Sequence, residues 1–275
     1  MKKIFITLLL VLSPLFSQSV RATYDVSFGI FGEIGQAEII YVQDHNEYLI
    51  SVHAKATGMS ATLTQNREEE YISQGKIIQG VLRPDIFVKF RKSDRGSKIS
   101  LFKFNHNKKK ILEYQTKEKV VYSTRYDVHT MKNVDVVEEE FDISQKEFRL
   151  YTQNDLLSLF FNTQKMLPSL KEGENVQYTA VGSKTDDCII DIVAPNKETK
   201  EELETMMPDN SGLFITIIIH QDIFQSKNGE LHVNFDKDGF AQDVVLKDVI
   251  MFGDIRGKRT NQETNFAENL STICL

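Results

Sequence analysis

Three glycines, Gly29, Gly32 and Gly35, stand at GxxGxxG spacing within YDVSFGIFGEIGQAEIIY (residues 24–41). A phosphate loop needs such a turn at the end of a strand, with backbone N–H groups exposed and a helix whose positive end meets the anion. Here QAEIIYVQ follows Gly35 and alternates as a strand, with Ala37, Ile39 and Tyr41 on one side. No lysine or Ser/Thr stands at P-loop spacing. The glycines are therefore read as a hairpin turning at Gly32 and Glu33, with Gly29 and Gly35 relieving crowding where strands bend. The other chemistry-bearing types give no constellation. His45, His53, His106, His129, His220 and His232 are scattered singly, without an HExxH or paired CxxC pattern, so no metal site is expected. The runs Glu68, Glu69, Glu70 and Glu138, Glu139, Glu140 put successive carboxylates on opposite faces of a strand, which reads as a solvated face rather than an acid–base pair. FDKDG (residues 235–239) lacks the third oxygen ligand and distal Glu of a calcium loop and reads as a hairpin turn. No serine sits in GxSxG, and neither cysteine has a histidine partner by motif. A catalytic residue is not expected, nor is a cofactor.

The elements that carry these residues are mostly strands. In YLISVHAKA, Tyr48, Ile50, Val52, Ala54 and Ala56 form one face and Leu49, Ser51, His53 and Lys55 the other. LHVNF repeats the pattern, with Leu231, Val233 and Phe235 inward against His232 and Asn234. Turn signals in SDRGS, KNG and KDG separate such runs and predict antiparallel sheet built from meandering hairpins. Three helices are predicted: one within residues 58–70, a short apolar one in NDLLSLFFN (residues 154–162) capped by Asn154 or Asp155, and a charged, exposed one in KETKEELETMM (residues 197–207) ended by Pro208. KISLFKF and LFITIII are apolar on both faces, as in a sheet covered on both sides, curled around a helix, or lining an apolar cavity.

The N-terminus reads as an export signal. Lys2 and Lys3 precede the apolar run IFITLLLVLSPLF, which is too short to span a bilayer, and VRA offers small residues for cleavage after Ala22. This divides the chain into a signal peptide (residues 1–22), a curved antiparallel β domain (residues 23–258) and a polar C-terminal tail (residues 259–275). Cys188 and Cys274 then either form one disulfide or remain thiols. The net charge of −6 is uneven: residues 83–119 hold 12 Lys/Arg against 4 Asp/Glu, and residues 121–210 hold 9 against 18. Export and overall acidity argue against nucleic acid as a partner.

YDVSFGIFGEIGQAEI, YLISVHAKATGMSATL, EEYISQGKIIQGVLRPDIF, NDLLSLFFN and GELHVNFDKDGFAQDVVLKDVIMFGDIRG together resemble the bacterial periplasmic family of unknown function numbered 3108, over residues 24–258. The resemblance implies a mostly β (α+β) protein: one strongly curved antiparallel sheet, or half-barrel, wrapped around a few short helices. That architecture is similar to the periplasmic lipoprotein carriers. It implies a periplasmic location and supplies no catalytic residues. The function expected is non-enzymatic binding of a hydrophobic or lipid-like ligand between sheet and helix, with Phe28, Ile50, Val52, Leu156, Phe160 and Phe161 as candidate lining. The alternative is a scaffold or accessory subunit of an envelope assembly, using a basic surface at Lys108, Lys109 and Lys110.

Overall fold

The computed structural model describes residues 17–166, 169–183, 187–207, 212–220, 229–249 and 253–265. Its strands are β1 (Ser17–Phe28), β2 (Gly32–Asp44), β3 (Glu47–Ala56), β4 (Glu68–Ile78), β5 (Val81–Ser93), β6 (Gly96–Asn105), β7 (Lys110–Asp127), β8 (Lys132–Glu147), β9 (Asn154–Asp155), β10 (Asn175–Val181), β11 (Ile189–Val193), β12 (Leu213–Ile218), β13 (Glu230–Phe235), β14 (Ala241–Val249) and β15 (Gly253–Thr264). The helices are α1 (Gly58–Leu63), α2 (Leu156–Met166) and α3 (Lys197–Met206). All 15 strands join one sheet in the order β8-β7-β6-β5-β4-β3-β2-β1-β15-β14-β13-β12-β11-β10-β9. Neighbours are antiparallel, except that the two-residue β9 runs parallel to β10. The sequence thus meanders outward from β1 to one edge, and the C-terminal strands return along the other side.

The curl of the sheet follows from what α2 touches. Leu159 packs with Ala22, Tyr24, Ile190, Ile215, Val233 and Phe235. Leu157 and Phe161 pack with Val20, Tyr41, Tyr48, Ile50, Leu82 and Phe240. Leu156 packs with Phe87, Phe102, Ile111 and Val181. One helix therefore meets strands from both arms of the sheet, which is possible only if the sheet wraps around it. This is the mostly β, curved, antiparallel architecture expected from the resemblance.

Asp155 starts α2 as its N-cap. Its Oδ1 accepts from the Ser158 N–H at 2.8 Å, and its own N–H donates to Ser158 Oγ at 3.0 Å, a reciprocal cap. Further along, Asn162 clamps the helix to β5: its Oδ1 accepts from the Leu82 N–H and its Nδ2 donates to the Leu82 carbonyl, both at 2.9 Å. β6 pairs with β5 only from Ile86 onward, so Asn162 supplies the partner that the Leu82 backbone lacks there.

The glycine-rich stretch turns the chain one step earlier than expected. A 3-10 turn at Gly29–Phe31 joins β1 to β2, and Gly32 at φ 70° closes it in a conformation that side chains disfavour. Gly35 serves close approach instead, because a Cβ there would lie 2.7 Å from the Lys55 carbonyl oxygen. No helix follows the turn, in keeping with the absence of a phosphate loop.

Several boundaries differ from the sequence reading. Residues 17–22, assigned to the leader, pair with β2 and β15 as the first half of β1, and Val20 and Ala22 are buried. β15 likewise continues through Thr264, six residues into the expected tail. α1 ends at Leu63, and Glu68, Glu69 and Glu70 open β4, where their carboxylates pair across the sheet rather than along a helix. His232 and Asn234 are buried as well as Val233 and Phe235. The reason is α3: Leu203 and Met207 pack on Phe214 and Val245, covering the outer face of β12 to β14. α3 is thus anchored by Leu203 while most of its charged residues stay exposed, as the sequence predicts.

Candidate functional site

Register places three rows of side chains across the inner face. One runs Val20, Tyr41, Ile50, Ser73, Phe87, Phe102, Glu113, Lys146. The next runs Ala22, Ile39, Val52, Tyr71, Lys89, Ser100, Gln115, Ser144, and the third Tyr24, Ala37, Ala54, Glu69, Arg91, Lys98, Lys117, Asp142. Each row begins apolar on β1 to β3; the second and third turn polar or cationic from β4 onward, whereas the first stays aromatic at Phe87 and Phe102 and turns charged only at Glu113. The alternation of Lys89 and Arg91 with Val88 and Phe90 on β5 is what aims both cations inward.

In the polar half lies an open cleft of about 550 Å3. Its lining includes Lys89, Arg91, Lys98, Lys146 and Arg149 against the carboxylates Glu113 and Glu147. The floor is aromatic: Phe102 stacks on Phe87 at 6.0 Å and meets Phe148 edge-on at 5.6 Å, above Leu156 at the start of α2. Gly182 and Ser183 close one side, where Lys89 Nζ donates to the Gly182 carbonyl at 2.6 Å and sits 5.7 Å from the Tyr71 ring centre.

The charges in the cleft are partly compensated. Glu69 Oε1 accepts from Arg91 Nε at 2.8 Å and from Arg67, and Tyr71 donates to Glu69 Oε2 at 2.8 Å. Burial alone would raise the Glu69 carboxyl, but the hydrogen bonds from Arg67 and Tyr71 and the two guanidiniums hold it below the usual carboxylate range. Lys146 pairs with Glu113 at 3.2 Å and Lys110 with Glu147 at 2.8 Å. Lys98 has no ion pair among the described residues. Desolvation, together with Lys117 and Arg91, pushes its ammonium below the usual lysine value. The arrangement provides a positive site with an aromatic floor, suited to an anionic group attached to an apolar body.

A second polar cluster lies below the floor. Tyr48 Oη and Ser73 Oγ are 3.0 Å apart, and Ser73 donates to Asp155 Oδ2 at 2.6 Å. All three side chains are buried, and burial raises the Asp155 carboxyl to about 6 against the hydrogen bonds that favour its ionised form. This cluster holds the N-terminus of α2 to β3 and β4.

The residues expected to line a cavity fall elsewhere. Ile50, Val52 and Phe161 meet in one core cluster, while Leu156 and Phe160 join the clusters on either side of α2. Phe28 stands apart, stacked on Phe31 at 5.6 Å beside the first turn. None of the six lines the 550 Å3 cleft. Lys108 and Lys109 lie in the exposed connection from β6 to β7 and Lys110 opens β7, at the opposite end of those strands from Lys98. Cys188 is buried just before β11, and its pairing with Cys274 lies outside the described residues. Of the cleft cations, Lys89, Arg91 and Lys98 fall within the basic stretch of the sequence, and Lys146 and Arg149 within the acidic one. The signal that separates Lys89 and Arg91 from the Lys108 cluster is their period of two along β5, facing Lys98 and Lys117 in register.

Among the described residues no helix is long and apolar enough to cross a membrane, and no three His, Cys, Asp or Glu side chains gather at a metal site. No curated protein matches the chain. A solved structure described as a β-barrel-like protein of domain of unknown function DUF1849 from Brucella abortus is similar at a TM-score of 0.37 and 10% identity, covering 92% of this chain and 100% of that one. The model of the family described as protein of unknown function (DUF3108) matches residues 23–260, so the chain belongs to that family.

Proposed function

We propose that the protein is a non-enzymatic binding module of the bacterial cell envelope that takes an anionic amphipathic molecule in the inner-face cleft. The observation that carries this reading is the cleft itself: five cationic side chains over an aromatic floor, with two carboxylates among the lining. Hydrophobic ligand sites combine apolar walls with a few placed polar groups, and the Lys89, Arg91 and Lys98 rows supply the polar end. The interior around α2 is filled by Phe160, Phe161 and Ile50, so the ligand space is displaced from the helix to the half of the sheet beyond it. Export belongs to the same proposal and rests on the basic and apolar N-terminal run. The test is titration with a fluorescent fatty acid alongside its uncharged alcohol. The acid binds the native protein, the alcohol binds about tenfold or more weakly, and Lys98→Glu loses the acid at unchanged thermal stability, as expected for removal of a charge-assisted contact. Equal binding of acid and alcohol, or full retention in Lys98→Glu, removes the cleft from consideration.

One observation favours a second reading as an assembly subunit. β7 and β8 pair beyond Lys119, where β6 has already ended at Gly96, so residues 120–127 and their β8 partners form a two-stranded arm. Its Tyr122, Tyr126 and Val137 are exposed by 69%, 59% and 60%. Two-stranded ribbons are marginal in water, and a protein partner on this arm would complete it. Crosslinking from Tyr122 in cells distinguishes the readings: a specific adduct that survives Lys98→Glu supports assembly.

A further inference from the structure

Two connections at one end of the sheet differ in chemistry from the β5–β6 turn beside them, which holds Asp94 and Arg95, and from most of those at the other end. β1 and β3 end on the same side, because Val26 pairs with Gly35 and Gly35 with Ala56. The connections leaving them run through residues 29–32 (GIFG) and 57–67 (TGMSATLTQNR), and their one charged residue is Arg67, in a chain that is 26% Asp, Glu, Lys and Arg. They carry large apolar side chains outward: Phe31 is 49% exposed, Met59 74% and Leu63 75%. α1 buries none of its residues, so its apolar side chains are not spent on the core. At the opposite end the connections hold His45, His106, Lys108, Lys109, Asp236 and Asp238.

This rim adjoins the mouth of the cleft. The Asp94 N–H, in the turn from β5 to β6, donates to the Gln65 carbonyl at 2.9 Å, and Asn66 Nδ2 donates to Asp94 Oδ2 at 2.9 Å. From the end of the same connection Arg67 reaches Glu69, which also holds Arg91 at the cleft wall. The segment bearing Met59 and Leu63 is thereby tied to the strands that carry Arg91 and Lys98.

We propose that residues 29–32 and 57–66 form a bilayer-docking rim, which seats the mouth of the cleft against a lipid surface. The occupant is a membrane rather than a protein for a reason of composition. The segments combine large apolar side chains with small and uncharged polar residues such as Ser60 and Thr62, a mixture that the headgroup boundary accepts. Fixed charges are what that boundary penalises, and the one in these connections, on Arg67, is paired with Glu69. The protein carries a net charge of −6, so adsorption by this rim does not depend on attraction to anionic lipid. The docking is independent of ligand binding, although a carrier of an amphipathic molecule would use both.

The chain contains no tryptophan, so a single introduced indole reports its own surroundings without background. Phe31→Trp and Leu63→Trp are placed separately in the full chain and mixed with phosphatidylcholine vesicles containing brominated acyl chains. Ile78→Trp, at the opposite end and 45% exposed, is the control. The rim indoles shift to the blue and are quenched, also at high salt, and the control indole is not. Adding Met59→Asp to Leu63→Trp lowers the partition constant about tenfold, as expected for replacing a buried apolar group by a charge at the interface. The readout is local, so an apolar N-terminus that tethers the chain does not imitate it. Absence of quenching at both rim positions, equal quenching at the control, or indifference to Met59→Asp overturns the proposal. The fatty-acid titration separates this result from ligand binding: Lys98→Glu abolishes uptake and leaves vesicle quenching intact, whereas Met59→Asp does the reverse.

Discussion

Asp155→Asn tests whether the α2 cap is held by a carboxylate that is costly to ionise. Asp155 is fully buried, and its carboxyl rises from 3.8 to about 6, chiefly by desolvation. At 1.36 kcal/mol per pKa unit that rise corresponds to about 3 kcal/mol. The sign is fixed by proton binding. Below 3.8 the group is protonated in both the folded and the unfolded chain, and above about 6 it is ionised in both. In between, the folded chain holds more protons, so the contribution of Asp155 to stability falls as pH rises through that window. Asparagine stays neutral throughout and keeps an oxygen to accept the Ser158 N–H at the helix start. It loses the charge-assisted bond from Ser73. Urea unfolding of both proteins between pH 4 and pH 7.5 isolates the group, since other titrations are common to the two. The stability of the native protein relative to the variant should fall by about 2.5 kcal/mol across the series, since pH 4 already lies just above the unfolded value. Parallel curves, or a relative stability that rises with pH, would show that the buried network does not raise this carboxyl.

Two further perturbations probe how the sheet is tied together. A chain beginning at Thr23 loses the first half of β1, including the buried Val20 and Ala22 and their pairing with β2 and β15. It should unfold at lower urea than one beginning at Ser17, by about 3 kcal/mol or more from the valine burial and the lost ladder bonds. Equal midpoints would mean that these residues are leader and not strand. Asn162→Ala strips the Leu82 N–H and carbonyl of their partner and should cost about 2 to 4 kcal/mol by thermal or urea unfolding. A cost below about 1 kcal/mol would mean water replaces the amide freely.

Much of the sheet was legible because period-two patterning is a local property. Tyr48, Ile50 and Val52 alternate with Ser51 and His53, and the structure turns the first set inward toward α2. What alternation does not encode is which further element covers the second face. LHVNF reads as one buried and one solvated face, yet His232 and Asn234 are buried, because α3 lies over them from about thirty residues upstream. The helix in NDLLSLFFN was readable from its cap and apolar run. Its role was not, since the same Phe160 and Phe161 fill a core or line a cavity depending on how tightly the sheet curls. The edge of the fold is likewise nonlocal: Ser17 to Ala22 carry no strand signal stronger than the leader signal beside them, and only pairing with β15 reveals them as sheet.

The cationic half of the inner face is where packing ceases to explain the sequence. Between β1 and β3 the inward positions are Val20, Ala22, Ile39, Ile50 and Val52, and α2 covers them. Across β5 to β7 the continuing rows become Lys89, Arg91, Lys98 and Lys117, over which the helix does not extend. A sheet needing only solubility would direct such charges to its outer face, where like charges separate into water. Here Lys98 and Lys117 stand directly opposite each other on neighbouring strands, an arrangement that costs stability. Arg91 joins them in register from β5, and together with desolvation they push the Lys98 ammonium below its usual value. An anion seated between Arg91 and Lys98 reverses that term, since it favours the charged form of each. The ligand proposed for the cleft would therefore turn that repulsion into attraction, and the one to gain most would carry its charge at one end and an apolar body long enough to reach Phe102 and Phe148.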